Sequence, residues 1–225
     1  MERRTRDPRG VAGRSIGRRE STRAAIVRGA RASFCASGYA ATAVEDIIRA
    51  AKISRATFYA HFENKHAVLA TVIAEVEPQL LEIYDELGPI RAVTLESLHA
   101  WLRRLTDFFA QHRDILQIWG DAINDREFTR SLQGLGNRMA DRLGLTLPSA
   151  EALERAEDRE EVFLSVFFLA QVGQFCTLTL ASGWNVDQNA AITVMAKMLY
   201  RSVIAVLGER GNMQASIQAS NLPTE

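Results

Sequence analysis

Cysteine and histidine are scarce, with two and four among 225 residues. Cys35 and Cys176 stand far apart, each inside an apolar run, so they read as reduced core residues rather than a disulfide or a metal pair. The histidines are scattered, and no His/Cys/Asp/Glu cluster has metal-ligand spacing, so neither a metal nor a cofactor is implied. Strand signals are nearly missing, with no sustained alternation and no Asn-Gly hairpin. The chain starts MERRTRDPRGVAGRS, which is basic but has no apolar stretch behind it. That argues against a signal peptide and favours a cytoplasmic protein. A Gly-rich phosphate loop, a G-x-S-x-G elbow, a metal triad and a convincing His-carboxylate pair at helical spacing are also missing, which argues against an enzyme.

One long apolar run is present. From Val162 to Trp184 no residue is charged. Ser165, Gln171, Gln174, Thr177, Thr179 and Ser182 interrupt it, and no Lys/Arg cluster or aromatic belt flanks it. It reads as a helix buried in a core or a subunit interface, not as a membrane span.

The formal net charge of zero hides a split. Residues 1–65 carry 14 Lys/Arg and 6 Asp/Glu, and the remainder carries 13 and 21. A basic segment on an acidic body fits a nucleic-acid module joined to a body with another task.

The periodicity predicts an all-α chain of about nine helices. Residues 1–17 lack a pattern and read as a flexible basic arm. The first helix spans about 18–37, with Ile26, Ala30 and Phe34 on one face and Gly38 at its C-terminal cap. The second opens at Thr42, where T-x-x-E with Glu45 spells a capping box. The third is short, capped by Ser54. The fourth, capped by Asn64, spans 65–87, and Pro78 is expected to kink or interrupt it. Further helices are expected at about 91–111, 113–123, 125–143, 152–182 and 187–207, before a flexible tail, 209–225. The domain reading is therefore a basic arm, a DNA-binding domain over 18–65, a helical ligand-binding and dimerisation domain over 66–208, and the tail.

Two short helices joined by a tight turn inside the basic third are a helix-turn-helix. The stretch Gly38–Lys65, GYAATAVEDIIRAAKISRATFYAHFENK, resembles the DNA-binding domain of the TetR family. That pattern reads roughly G-[YF]-x-x-T-[ST]-[VM]-x-x-I-A-x-x-A-G-[VI]-[ST]-x-[GA]-[TS]-[FL]-Y-x-[HY]-F-x-[ST]-K. The sequence departs from it at Ile48, Lys52 and Asn64; Lys52 replaces a turn glycine, at a cost of ~1 kcal/mol if φ is positive.

The resemblance implies a homodimeric transcriptional repressor on a palindromic double-stranded operator, released by an unidentified small apolar or aromatic effector. The alternative is a constitutive or architectural DNA-binding protein with no ligand. By resemblance, Thr42 binds a phosphate, caps its helix, or does both. Ser54, Arg55, Ala56 and Thr57 face the major groove, with Arg55 on a base edge or another phosphate. Tyr59 and Lys65 reach phosphates, and His61 does so or is a solvated or capping residue. Phe58 and Phe62 are core. The resemblance also implies that the last two helices pair across the dimer, through Phe163, Phe167, Phe175, Met195 and Leu199, beside the alternative that these faces bury against the same subunit, with some doing both. The middle helices would wall a ligand pocket, with Trp101, Phe108, His112, Trp119 and Gln171 as candidates beside a plain core reading for each aromatic.

Overall fold

The computed structural model describes residues 8–122, 125–145, 159–181 and 187–207. The expected tail, residues 1–7 of the expected arm, and residues 152–158 and 182 of the eighth expected helix lie outside the described residues. Ten α-helices and no strand occur among those described, which bears out the all-α reading with one helix more than the nine expected. The chain divides into two compact units, Met1–Glu75 and Val76–Glu225.

The first unit holds α1 (Pro8–Ser37), α2 (Val44–Ala51), α3 (Arg55–Tyr59) and α4 (Lys65–Ala74). α1 starts ten residues before the expected boundary, so residues 8–17 are helical and not a flexible arm. Proline suits a first helical turn, and each further residue adds a hydrogen bond to a helix already nucleated downstream. Ile26, Val27, Ala30 and Phe34 form the buried stripe of α1, against Ile47 of α2, Phe58 of α3 and Val68, Leu69 and Val72 of α4. Gly29 permits the close approach of α1 to α2, because a Cβ there would lie 2.9 Å from the Ala51 amide nitrogen. α4 packs on α1, which moves the boundary of this unit ten residues past the expected 65.

The expected helix over 65–87 is two helices. α4 ends at Ala74, and α5 (Glu77–Leu87) begins with Pro78 in its first turn. The break therefore precedes the proline, where its missing N–H costs nothing.

The second unit continues with a 3-10 turn (Ile90–Ala92), α6 (Leu95–Gln111), α7 (Arg113–Ala122), α8 (Arg126–Arg142), α9 (Arg159–Cys176) and α10 (Gln188–Leu199). α9 runs into a π turn at Thr177–Ala181, and α10 into another at Tyr200–Ile204. Thr94 and Ser97 form a reciprocal capping box that starts α6. α6 is the central helix of the unit, packed against α5, α7 and α10. Its Trp101 is buried, donates Nε1–H to the Ile83 carbonyl at 2.9 Å, and stacks on Phe168 of α9. Arg138 and Arg142 of α8 pair with Glu77 and Asp85 of α5.

Val162–Leu180 and Gln188–Leu207 are each long and apolar enough to cross a membrane. Only 33% and 39% of these stretches are buried within the chain, so each keeps an outward apolar side.

Candidate nucleic-acid interface and ligand cavity

The α2–α3 turn is built from caps. Asp46 reaches back to accept from the Ala43 amide at 3.0 Å, so the capping interaction sits one residue later than expected. Lys52 takes the left-handed conformation, φ 55°, and is the one non-glycine residue with positive φ among those described. This is the strain that replacing the turn glycine implied, about 1 kcal/mol. Ser54 then caps α3, its Oγ accepting from the Thr57 amide at 3.0 Å.

α3 has five residues, with one buried side and one presented side. Phe58 is fully buried, a contribution of about 1.5–3 kcal/mol to holding the helix angle. Phe62 is also in the core, as expected. Ser54, Arg55, Ala56 and Tyr59 are exposed, and Thr57 and His61 are half-buried. Arg55 pairs with Glu45 of α2, and its guanidinium lies 5.5 Å from the Tyr59 ring centroid. A flat, planar donor group thus stands on the open side of the short helix, held by an acidic neighbour.

Two candidates point elsewhere. Thr42 is buried; its hydroxyl donates to the Gly38 carbonyl at 2.7 Å and its amide bonds the same oxygen at 3.2 Å. With both donors committed, Thr42 has none for a phosphate, and it does not cap α2. Gly38, at φ 79°, turns the chain so that this residue falls inward. Lys65 is also turned in. Its Nζ donates to the carbonyls of Tyr39 (3.0 Å), Ala40 (3.3 Å) and Thr42 (3.1 Å), which uses all three ammonium hydrogens. The same Nζ lies 4.6 Å from the Tyr39 ring centroid, and the Tyr39 hydroxyl bonds His66 Nδ1 at 2.5 Å. Lys65 is a clamp on the loop before α2, not a phosphate ligand. The motif's fixed spacing between Tyr39 and Lys65 was the only signal in the sequence for this clamp.

The second unit contains a cavity of about 540 Å³. Of the five expected pocket residues, only Trp119 lines it. Trp101 and Phe108 are buried packing residues. His112 packs tilted against the Phe108 ring, its Nε2 3.4 Å from Gln79 Oε1. Gln171 borders a separate open groove between α9 and α10. Trp101 and Phe108 share the buried face of α6 with Leu105, and their rings pack against Tyr84, Phe168 and Phe109. Leu105, Phe109, Leu116, Tyr84 and Cys176 instead face the cavity, together with small residues such as Gly120 and Gly173 that leave room. Burial pushes the Cys176 thiol up to about 12. It also holds the Tyr84 phenol far above its ordinary value, with Cys176 adding to the shift.

The α9–α10 surface separates the expected dimer residues. Phe163 and Phe167 are exposed, and Phe175 lines the groove half-buried. Met195 and Leu199 turn inward at 7% and 1% exposure, which fits burial within the subunit in place of the dimer contact, although Met195 also borders the groove. The inner stripe of α10 is Ile192, Met195, Ala196 and Leu199, so its outer apolar positions are Val194 and Met198.

Residues 26–72 match the family model described as bacterial regulatory proteins, tetR family. The HTH-type transcriptional repressor SCO4008 of Streptomyces coelicolor is 27% identical over 99 residues, 44% of this chain. That match spans about half, 48%, of the curated relative's length. Among solved structures, the fold is similar to Salmonella enterica GusR (TM-score 0.58, 21% identity, 81% of this chain and 95% of that one). It is similar to a TetR family transcription regulator from Marinobacter aquaeolei VT8 (0.56, 18%, 84% and 98%). It is also similar to FadR from Bacillus subtilis in complex with stearoyl-CoA (0.55, 17%, 78% and 96%).

Proposed function

We propose that this chain, whose residues 26–72 match the model for bacterial regulatory proteins of the tetR family, is a homodimeric, sequence-specific DNA-binding repressor, released from a palindromic operator by a small apolar or aromatic ligand. The observation that carries the reading is the outward row of α3. Arg55, Ala56 and Tyr59 are exposed on a short helix whose opposite side is anchored by Phe58. A helix held in this way fits the major groove, where base edges differ in their donors and acceptors. Arg55 reads a guanine by its two-pronged guanidinium, once Glu45 gives it up. Ala56 and the Thr57 methyl offer apolar contact to thymine. Ser54, Tyr59 and His61 reach the flanking phosphates.

The outward apolar positions on α9 and α10 support twofold pairing. Pairing covers surface that the chain alone leaves in water, and it sets two copies of α3 one DNA turn apart. The 540 Å³ cavity lies within the usual range for small-molecule sites, about 300–1,000 Å³. The stearoyl-CoA in the related FadR structure supports a small-molecule effector for this architecture. The effector acts by binding more tightly to a dimer whose α3 spacing is wrong for DNA, which lowers operator affinity. The protein works in the cytoplasm, where its operator lies.

The test is selection of bound duplexes from a random pool by the purified full chain. A palindrome with half-site centres about 10 base pairs apart, or a multiple of a turn, supports the reading. Recovery of duplexes with no shared sequence rejects it.

A further inference from the structure

We propose that the cavity of the second unit takes an uncharged aromatic ligand, and that the Tyr84 hydroxyl donates a hydrogen bond to that ligand's acceptor atom. The inference rests on the ligand-responsive reading above and names the chemistry of its effector.

Two observations set the class. First, no charged side chain occurs among the described residues lining the cavity. A carboxylate or phosphate entering it would leave water with no cationic partner, and buried charge is tolerated only when paired. Cys176 offers no compensation, because a thiol is neutral or anionic and never a cation. Second, the walls are aromatic and aliphatic, with Tyr84, Phe109 and Trp119 around a floor opened by Gly120 and Gly173. Flat rings stack and meet edge to face in such a space.

Among the lining residues, Tyr84 and Thr177 carry hydroxyls. Thr177 lines the cavity, but its hydroxyl already donates to the Gly173 carbonyl at 3.1 Å. Gln174 is exposed and borders the outer groove as well. Tyr84 is 2% exposed and lines the cavity, and its hydroxyl has no hydrogen-bond partner among the described residues. No fully enclosed side-chain oxygen or nitrogen is left unpartnered among those residues, so this hydroxyl is reached from the cavity space. The phenol remains a neutral donor at every pH the protein meets. Its ring is fixed edge-on against Trp101, with centroids 5.2 Å apart, so the hydroxyl is held in place before a ligand arrives.

The experiment measures dissociation constants of the full chain for three probes of one shape. 2-Acetonaphthone is neutral with a single acceptor, 2-naphthoate is its nearly isosteric anion, and naphthalene has no acceptor. The expected result is that the ketone binds at least about tenfold tighter than the anion. Tyr84→Phe weakens the ketone about fivefold and leaves naphthalene unchanged, the loss of one net hydrogen bond. Naphthoate binding as tightly as the ketone, an unchanged ketone affinity in Tyr84→Phe, or no binding of any probe each overturns the proposal. Retention of the selected duplex is measured alongside. Ketone binding with retention unchanged upholds the ligand class and counts against effector-driven release. Loss of all duplex binding without any probe counts against the repressor reading alone.

Discussion

Arg55 of α3 donates from Nη1 to the carboxylate of Glu45 in α2, so the side chain best placed to read a base is already engaged by an acid from the bracing helix. Both partners are largely exposed, so the pair is weak and screened by solvent. The pair restrains Arg55 without removing it from the surface.

Arg55→Ala is therefore expected to cost about 1–3 kcal/mol per half-site on the selected duplex and to relax preference at one position in each. Glu45→Gln is expected to tighten binding to all duplexes alike, because it removes a negative charge facing phosphates. Fluorescence anisotropy with the selected and shuffled duplexes separates these effects. An equal loss on both duplexes for Arg55→Ala would make Arg55 a phosphate contact.

Lys65→Met removes three hydrogen bonds from the loop before α2. Urea unfolding is expected to show a loss of about 1.5–3 kcal/mol, since bonds from a charged donor are the stronger kind. The salt dependence of the remaining DNA binding is expected to keep its slope. A phosphate role in both subunits would flatten that slope by about 2.

Val194→Asp puts a charge on the outer side of α10 at a position already 55% exposed, so folding tolerates it. Sedimentation is expected to give a monomer, with loss of duplex retention. Leu199→Ala, at 1% exposure, is expected instead to cost about 2–5 kcal/mol of stability through the cavity it leaves, with pairing intact in native buffer. A dimeric Val194→Asp would show that the pairing surface lies elsewhere.

Cys176 gives a pH signature. Its folded value is pushed up to about 12 from an ordinary value near 9. Between these values the unfolded chain has lost the proton and the folded chain keeps it, so unfolding releases a proton. Stability from this source is complete below pH 9 and falls as pH rises toward 12, by at most about 1.4 kcal/mol per pH unit. Cys176→Ala is expected to flatten that decline in urea titrations at pH 8 to 11. An unchanged decline would mean that the thiol is not shielded.

Much of this was legible in the sequence, for local reasons. Ser54 and Asn64 cap α3 and α4 as their positions required, because a cap depends on two or three neighbouring residues. Phe58 and Phe62 fell in the core by helical spacing. Thr42 and Lys65 were misread because a threonine or lysine near a helix start suits a phosphate or a carbonyl equally well. Only the fold of the Tyr39–Thr42 loop decides between them, through bonds spanning more than twenty residues. Trp119 was found and Tyr84 was missed, since a cavity is a space that several helices leave, and no one helix pattern marks it. In α10 both the period and the phase of the stripe Ile192, Met195 and Leu199 were right, and its placement across a dimer was not, because it packs within the chain. Leu199 and Met198 are both apolar, and which of them faces inward depends on the packing of α6 against α10.

The most direct check is the ratio of dissociation constants for the selected palindrome and a shuffled duplex of the same composition, measured at 150 mM salt on one protein sample. A dimer with both α3 helices in adjacent major grooves gives a ratio of about 10³ or more, with two subunits per duplex. A ratio near one would mean that the chain senses only the charge of the backbone, and the account of α3 as the reading element would be wrong.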